Sequence, residues 1–343
     1  MLVVRPVTRA DLAALMQCAQ ASGFGFTSLP ADEARLLERI TQAEQAFAAH
    51  PTAPGEYDFL FVAQDTDTGQ VVGTTAIESC VGLAHPFYSY HRAKAVHVSR
   101  ELNVYKTVET LTLCNDYTGV TELCTLFLLP TYRHCQHGNQ HGKLLSKCRL
   151  LFIAEFAACF AETVIAEMRG ISDEHGDSPF FQWLRTHFFD IDFSTADRLT
   201  GTGNKRFIAE LMPRHPIYIN LLSPEAQAVI GQVHPQTRPA LQLLLEEGFH
   251  HRGYVDIFDA GPTVECARND IRAVRHSRRM KACVMEDTTR GSLHLISSTR
   301  FQRFRACLGM VSVDEELHEA HISHESAQLL QISDGDRVRI LPL

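Results

Sequence analysis

The stretch from Glu122 to Phe160 constrains this chain more than any other. Leu123-Cys124-Thr125-Leu126-Phe127-Leu128-Leu129 is an apolar run of strand length, closed by Pro130, which has no N–H to extend a ladder. Apolar residues at successive positions suit a strand covered on both faces. Arg133 and Gly138-Asn139-Gln140-His141-Gly142 follow, then a stripe at Leu144, Cys148, Leu151, Phe152, Phe156 and Cys159 with the period of an amphipathic helix. A glycine-rich turn entering a helix leaves backbone N–H groups and the positive end of the helix dipole facing outward, which suits a pyrophosphate. The segment has neither the Lys-Ser/Thr of a P-loop nor the acidic residue of a Rossmann fingerprint.

The 343 residues allow two domains or one enlarged one, and 45% apolar with 21% charged residues is ordinary for a globular protein. A formal charge of −8 argues against broad nucleic-acid binding and tolerates a cationic small substrate. Ten cysteines are scattered without a Cys-x-x-Cys pair, and no secretion signal opens the chain. Reduced thiols in a cytoplasm are therefore expected. Lys147, Arg149 and Glu155 interrupt the most apolar helix, so no membrane span is expected.

The elements around that stretch read as β then α at the start: Leu2 to Val7 as a strand, a capping box from Thr8 to Asp11, and a helix through Leu12, Leu15, Met16 and Ala19. A charged helix spans about Asp32 to Ala49. Tyr57 to Ala63 and Val71 to Glu78 form a hairpin, and antiparallel strands follow around Ala95 to Ser99 and Thr110 to Leu113. Thr163 to Met168 is a strand, Ser178 onward a short helix whose aromatics belong to a core, and Tyr254 to Phe258 a strand after a helix from Pro239 to Glu247. The basic run Arg268, Arg272, Arg275, Arg278, Arg279 and Lys281 reads as solvated helix faces, and Asp334-Gly335-Asp336 turns into a terminal edge strand. This pattern predicts an α/β fold, with a mixed, largely antiparallel central sheet flanked by helices and a smaller β-rich C-terminal part.

Arg133 and the glycines after the organising strand resemble the coenzyme A turn of GNAT acyltransferases, which follows their fourth strand. Further segments resemble one family, the bacterial arginine N-succinyltransferases: Glu101-Leu102-Asn103-Val104-Tyr105, Asn115-Asp116-Tyr117-Thr118-Gly119, Ala166-Glu167-Met168-Arg169-Gly170, Asp173-Glu174-His175-Gly176, His215-Pro216-Ile217-Tyr218 and Gly231-Gln232-Val233-His234-Pro235-Gln236-Thr237. The match covers most of residues 1–265 and is loose beyond. One departure is that His134 to Lys143 is longer than the family's Arg-x-x-Gly-Asn-Gly turn.

The resemblance implies a GNAT-like acyl-CoA-binding core over 1–200, a helical extension and tail carrying His234 over 201–260, and a β-rich region over 261–343. It implies succinyl transfer from succinyl-CoA to the α-amine of L-arginine, with ornithine a second acceptor and no tightly bound cofactor. The family's succinyl-CoA contact maps onto Leu126, and its catalytic proton donor onto His234, a side chain able to exchange a proton near neutrality. Arg133, Gly138, Asn139 and Gly142 are the turn's candidate coenzyme contacts. A guanidinium calls for carboxylates, with Asp116, Glu122 and Glu174 as candidates, and a succinyl carboxylate calls for a bidentate cation, with Arg169 as candidate. A homo-oligomer without nucleic-acid or membrane partners is expected. Two other readings stay open: a relative using another acyl donor or amine, and metal binding by His134, Cys135, His137 and His141, which lack a second ligand pair at zinc spacing.

Overall fold

The computed structural model describes residues 1–23, 28–133, 140–173, 176–189, 211–213, 215–286 and 291–343. Strand β1 (Leu2–Pro6) leads through the expected Thr8–Asp11 capping box into α1 (Leu12–Ser22). Asp32 then caps α2 (Glu33–Ala49), accepting a hydrogen bond from the Arg35 amide. β2 (Asp58–Asp65) and β3 (Val71–Glu78) form the expected hairpin. The next hairpin, β4 (Ser89–Ser99) and β5 (Val104–Cys114), has 11 residues in each strand, longer than its apolar content suggests, and its far end is solvent-exposed at successive positions of both strands.

The organising segment folds as β6 (Thr121–Leu128), a short α3 (Pro130–Arg133) and α4 (Gln140–Glu155), followed by β7 (Thr163–Glu167). Beyond them come α5 (Pro179–Phe188), β8 (Ile217–Tyr218), α6 (Pro224–Val229), α7 (Arg238–Glu246), β9 (His250–Val255), β10 (Pro262–Ala267) and α8 (Arg272–His276). The core strands run in the order β1-β2-β3-β6-β7-β10-β9-β4-β5-β8, antiparallel throughout except for the β6–β7 pair. The mixed, largely antiparallel α/β sheet matches the expected fold class.

Four local expectations are corrected. The strand expected at Tyr254 to Phe258 is β9, and residues 256–258 turn instead, because Asp256 Oδ1 accepts the amides of Phe258 at 2.7 Å and Asp259 at 2.8 Å. Helix α4 is buried on all sides rather than along one stripe. It runs beneath β1, β3 and β6 while touching α7, α8 and the C-terminal strands, so Lys147 (4% exposed) and Arg149 (2%) are as buried as Leu150.

The other two corrections concern the C-terminal part: β11 (Arg278–Met285), β12 (Ser292–Ser298), β13 (Ala306–Asp314), β14 (Glu319–Ser323), α9 (His324–Leu330) and β15 (Arg337–Pro342). These strands pair β12-β15-β11-β14-β13, and β13 returns to β12, closing a five-stranded barrel. β15 is thus interior to a ring instead of an edge, and the ring is joined to the core where β13 pairs with β1. Arg272 and Arg275 of the basic run lie on α8 as expected, whereas Arg278, Arg279 and Lys281 lie on β11 and are paired: Arg278 with Glu315, Arg279 with Glu155, and Lys281 with Glu319 at 2.8 Å. Met280, Ala282, Ile296, Cys307, Ile322 and Val338 fill the barrel.

Candidate active site

β6 and β7 pair only at Thr121 opposite Val164 and Glu122 opposite Ile165, then separate. Two parallel strands that part company open a slot in the sheet. At the same level β6 breaks its ladder with β3: Thr74 faces Phe127, Ala76 faces Cys124, and Thr75 is left opposite both Thr125 and Leu126. Thr125 takes a φ of 55° and its carbonyl accepts the buried Thr74 hydroxyl at 2.9 Å. A β-branched residue in the left-handed region is strained, and such bulges re-aim backbone groups where function needs them.

The slot is one wall of a cleft of about 1330 Å³, lined among others by Glu122, Cys124, Leu126, Arg133, Gly142 and Arg169. Five sequence-predicted residues, Leu126, Arg133, Gly142, Glu122 and Arg169, therefore meet in one place. Gly138, Asn139 and Glu174 lie outside the described residues, as do His134, Cys135 and His137 of the suggested metal cluster. Asp116 does not line the cleft and accepts the Tyr254 hydroxyl at 2.9 Å. His141 places Nδ1 at 3.1 Å from the Tyr132 carbonyl. A Cys283, Glu319 and His321 grouping has its ligand atoms within 4.8 Å of one another on the barrel, where the Lys281 ammonium already holds Glu319.

His234 sits at the edge of the cleft, beside lining residues Gln236, Thr237 and Arg169. Its position is fixed through the backbone: Gly170 bridges Val233, and the His234 amide donates to the Arg169 carbonyl at 2.8 Å. Gly170 is itself clamped, its amide donating to Asp259 Oδ2 at 2.6 Å. A Cβ at Gly261 would stand 2.1 Å from the Met168 carbonyl, so this crossing admits only glycine. The His234 ring caps the following turn, Nδ1 accepting the Gln236 amide at 3.3 Å. That contact assigns the ring proton to Nε2. Desolvation, then the nearby Arg169 charge, pull the imidazole pKa below its ordinary value, so the ring is neutral at pH 7.

Four of the cations that line the cleft have no carboxylate within 4 Å among the described residues: Arg35, Arg133, Arg149 and Arg169. Arg133 donates Nε to the Leu128 carbonyl at 2.7 Å and lies over the Phe127 ring. Arg169 donates Nη2 to the Ser172 hydroxyl at 3.0 Å. Glu78, Glu122 and Glu167 line the same cleft, with Glu78 and Glu122 register partners on β3 and β6. Sequence reasoning missed Glu78 and Glu167, whose only signal is their position at strand ends, and Arg149. Cys124 lines the cleft too, but burial, then Glu78, push its thiol well up, so it is no nucleophile at neutral pH.

Residues 2–273 match the model of the arginine N-succinyltransferase beta subunit family, and residues 278–342 match that of the family's C-terminal domain. Arginine N-succinyltransferase of Citrobacter koseri is 49% identical over 345 residues, covering 100% of this chain and 98% of the relative. The same-named protein of Yersinia enterocolitica is 47% identical with the same coverage. The structure of arginine/ornithine succinyltransferase subunit AI from Pseudomonas aeruginosa superposes with a TM-score of 0.89 at 34% identity, covering 100% of this chain and 98% of that one. With both of its parts matched from end to end, the chain belongs to the arginine N-succinyltransferase family.

Proposed function

We propose that the chain transfers the succinyl group of succinyl-CoA to the α-amino group of L-arginine, giving N2-succinyl-L-arginine and CoA, in cytoplasmic arginine catabolism. The observation that carries this reading is the 49% identity along the whole chain with a relative named arginine N-succinyltransferase. The cleft fits the charges of both substrates. The carboxylates of Glu122, Glu78 and Glu167 suit a guanidinium, and Arg133, Arg149 and Arg169 suit a pyrophosphate and two carboxylates.

In the reaction the amine nitrogen bonds to the thioester carbon, the carbon–sulfur bond breaks, and one proton passes from nitrogen to sulfur. The bulge at Thr125 and Leu126 presents backbone to the thioester, where an N–H would hold the carbonyl oxygen as it gains charge. Arg133 and Gly142 at the mouth of α4 suit the coenzyme's phosphates. A hydrogen bond from His234 Nε2–H would steady the departing sulfur, which takes up the proton that the amine releases. Arg169 supplies a carboxylate contact beside that histidine. Ornithine is a second acceptor on this reading, as the Pseudomonas subunit's name includes it. Assembly with further copies is in keeping with relatives described as subunits.

The deciding experiment follows thiol release by purified protein from succinyl-CoA and acetyl-CoA, with L-arginine and L-ornithine as acceptors. Rapid release with succinyl-CoA and arginine is expected. A folded protein that releases no thiol with arginine overturns the reading.

A further inference from the structure

Two basic side chains two residues apart on α4 are equally buried and differently partnered. Lys147 meets Glu247 at 2.6 Å, and Glu247 also accepts the Ala273 amide at 2.6 Å. Arg149, with 2% exposure, has neutral partners: Nε reaches the Ser146 carbonyl at 3.1 Å, Nη2 the Ser146 hydroxyl at 3.4 Å and Nη1 the Cys124 carbonyl at 3.4 Å. Burial alone lowers its pKa to about 10. A dehydrated guanidinium without an anion is costly and persists where an anion arrives to meet it.

Its place says which anion. Arg149 lines the cleft from the α4 side, and its Nη1 touches the strand at Cys124, two residues before Leu126. The bulge at Thr125 lies between Cys124 and Leu126, so a donor held at Leu126 has its acyl chain beside the backbone that Arg149 touches. Arg169 lies past the end of β7 instead, tied through its own carbonyl to His234.

We propose that Arg149 is the subsite for the terminal carboxylate of the acyl donor, selecting a dicarboxylic acyl-CoA over a monocarboxylic one. This rests on the succinyl-transfer reading and moves the donor carboxylate from Arg169, the residue sequence reasoning chose, to Arg149. Arg169 is left for the carboxylate of the amino-acid acceptor. The planar fork of Arg149 provides the bidentate geometry that a carboxylate takes best.

The test compares succinyl-CoA with acetyl-CoA in calorimetric titrations and in thiol release with L-arginine, using full-length wild type, Arg149→Gln, Arg149→Lys and Arg169→Gln. Loss of a charge-assisted hydrogen-bond pair predicts a fall of roughly 10- to 100-fold in the succinyl-to-acetyl preference of Arg149→Gln, in Kd and in kcat/KM. Arg149→Lys, which keeps the charge without the fork, should fall part of the way. Arg169→Gln should keep the preference and raise the KM for arginine. Wild-type preference retained in Arg149→Gln, or lost in Arg169→Gln instead, overturns the Arg149 assignment alone. A wild type that prefers neither donor overturns the succinyl reading together with it. If the glutamine variant melts without cooperativity, the lysine variant decides by the same ratio, and equal loss with both donors counts against the subsite.

Discussion

The cleft and the C-terminal barrel are built from the same sheet and treat it in opposite ways. In the barrel every strand of the ring has two neighbours, and the basic residues of β11 close on Glu315, Glu155 and Glu319. At the cleft the sheet is split between β6 and β7, a threonine is held at positive φ, and Arg133, Arg149 and Arg169 line the opening without a carboxylate within 4 Å among the described residues. Strain and uncompensated charge concentrate where a ligand can repay them, and paired charge on a closed ring is what structure alone requires. The difference predicts that substitutions in the two regions will separate activity from stability.

The largest effect is expected at His234. Replacing it with alanine leaves the backbone bridge between Gly170 and Val233 in place, and should lower kcat by about 10²- to 10⁴-fold with little change in melting temperature. A loss of less than threefold would remove His234 from the chemistry. Next comes the buried pair of Lys147 and Glu247, whose side chains are 5% and 1% exposed. It ties α4 to the end of α7 and, through the Ala273 amide, to α8. Lys147→Ala leaves Glu247 buried without its cation, and should cost about 3–5 kcal/mol in chemical denaturation. Equal stability of wild type and variant would show the pair to be dispensable.

How much of this was legible in the sequence follows the range of the interactions. The β6, turn and α4 unit was readable because apolar period and proline are local signals, and so was the capping box at Thr8 and Asp11. The barrel was not, because its closure depends on β15 inserting between β12 and β11 and on a parallel β11–β14 pair, contacts that no local pattern encodes. The bulge carries no glycine to announce it, since Thr125 occupies a conformation that residue type disfavours. Arg149 reads in sequence as a charge that interrupts an apolar helix, and only the packing on every side of α4 makes it a buried cation. His234 was assigned through the resemblance and Arg169 through the chemistry of a succinyl carboxylate, whereas their backbone hydrogen bond required the fold.

A subtler prediction concerns pH. Desolvation and then Arg169 lower the His234 pKa from its ordinary 6.5, so the neutral ring persists as the solution is acidified. Activity should fall only as pH drops through that lowered value. Arg169→Gln removes the second cause and leaves the first, so the acidic limb of the kcat profile should move up toward 6.5 without passing it. An acidic limb at the same pH in both proteins would separate the two residues electrostatically, despite the 2.8 Å hydrogen bond between their backbones.

The smallest effect is the one that tests the comparison most directly. Arg278→Ala opens a pair with Glu315 on the outside of the barrel, where both side chains are well exposed. Solvent and salt screen such pairs, and holding two long side chains together costs entropy, so little net stability comes from them. The variant should match wild type in melting temperature and in kcat/KM for succinyl-CoA and arginine. A loss of activity at unchanged melting temperature would mean that the β11 charges act on substrates as well as on their acidic partners. The division between a closed, paired ring and an open, unpaired cleft would then fail as a guide to function in this chain.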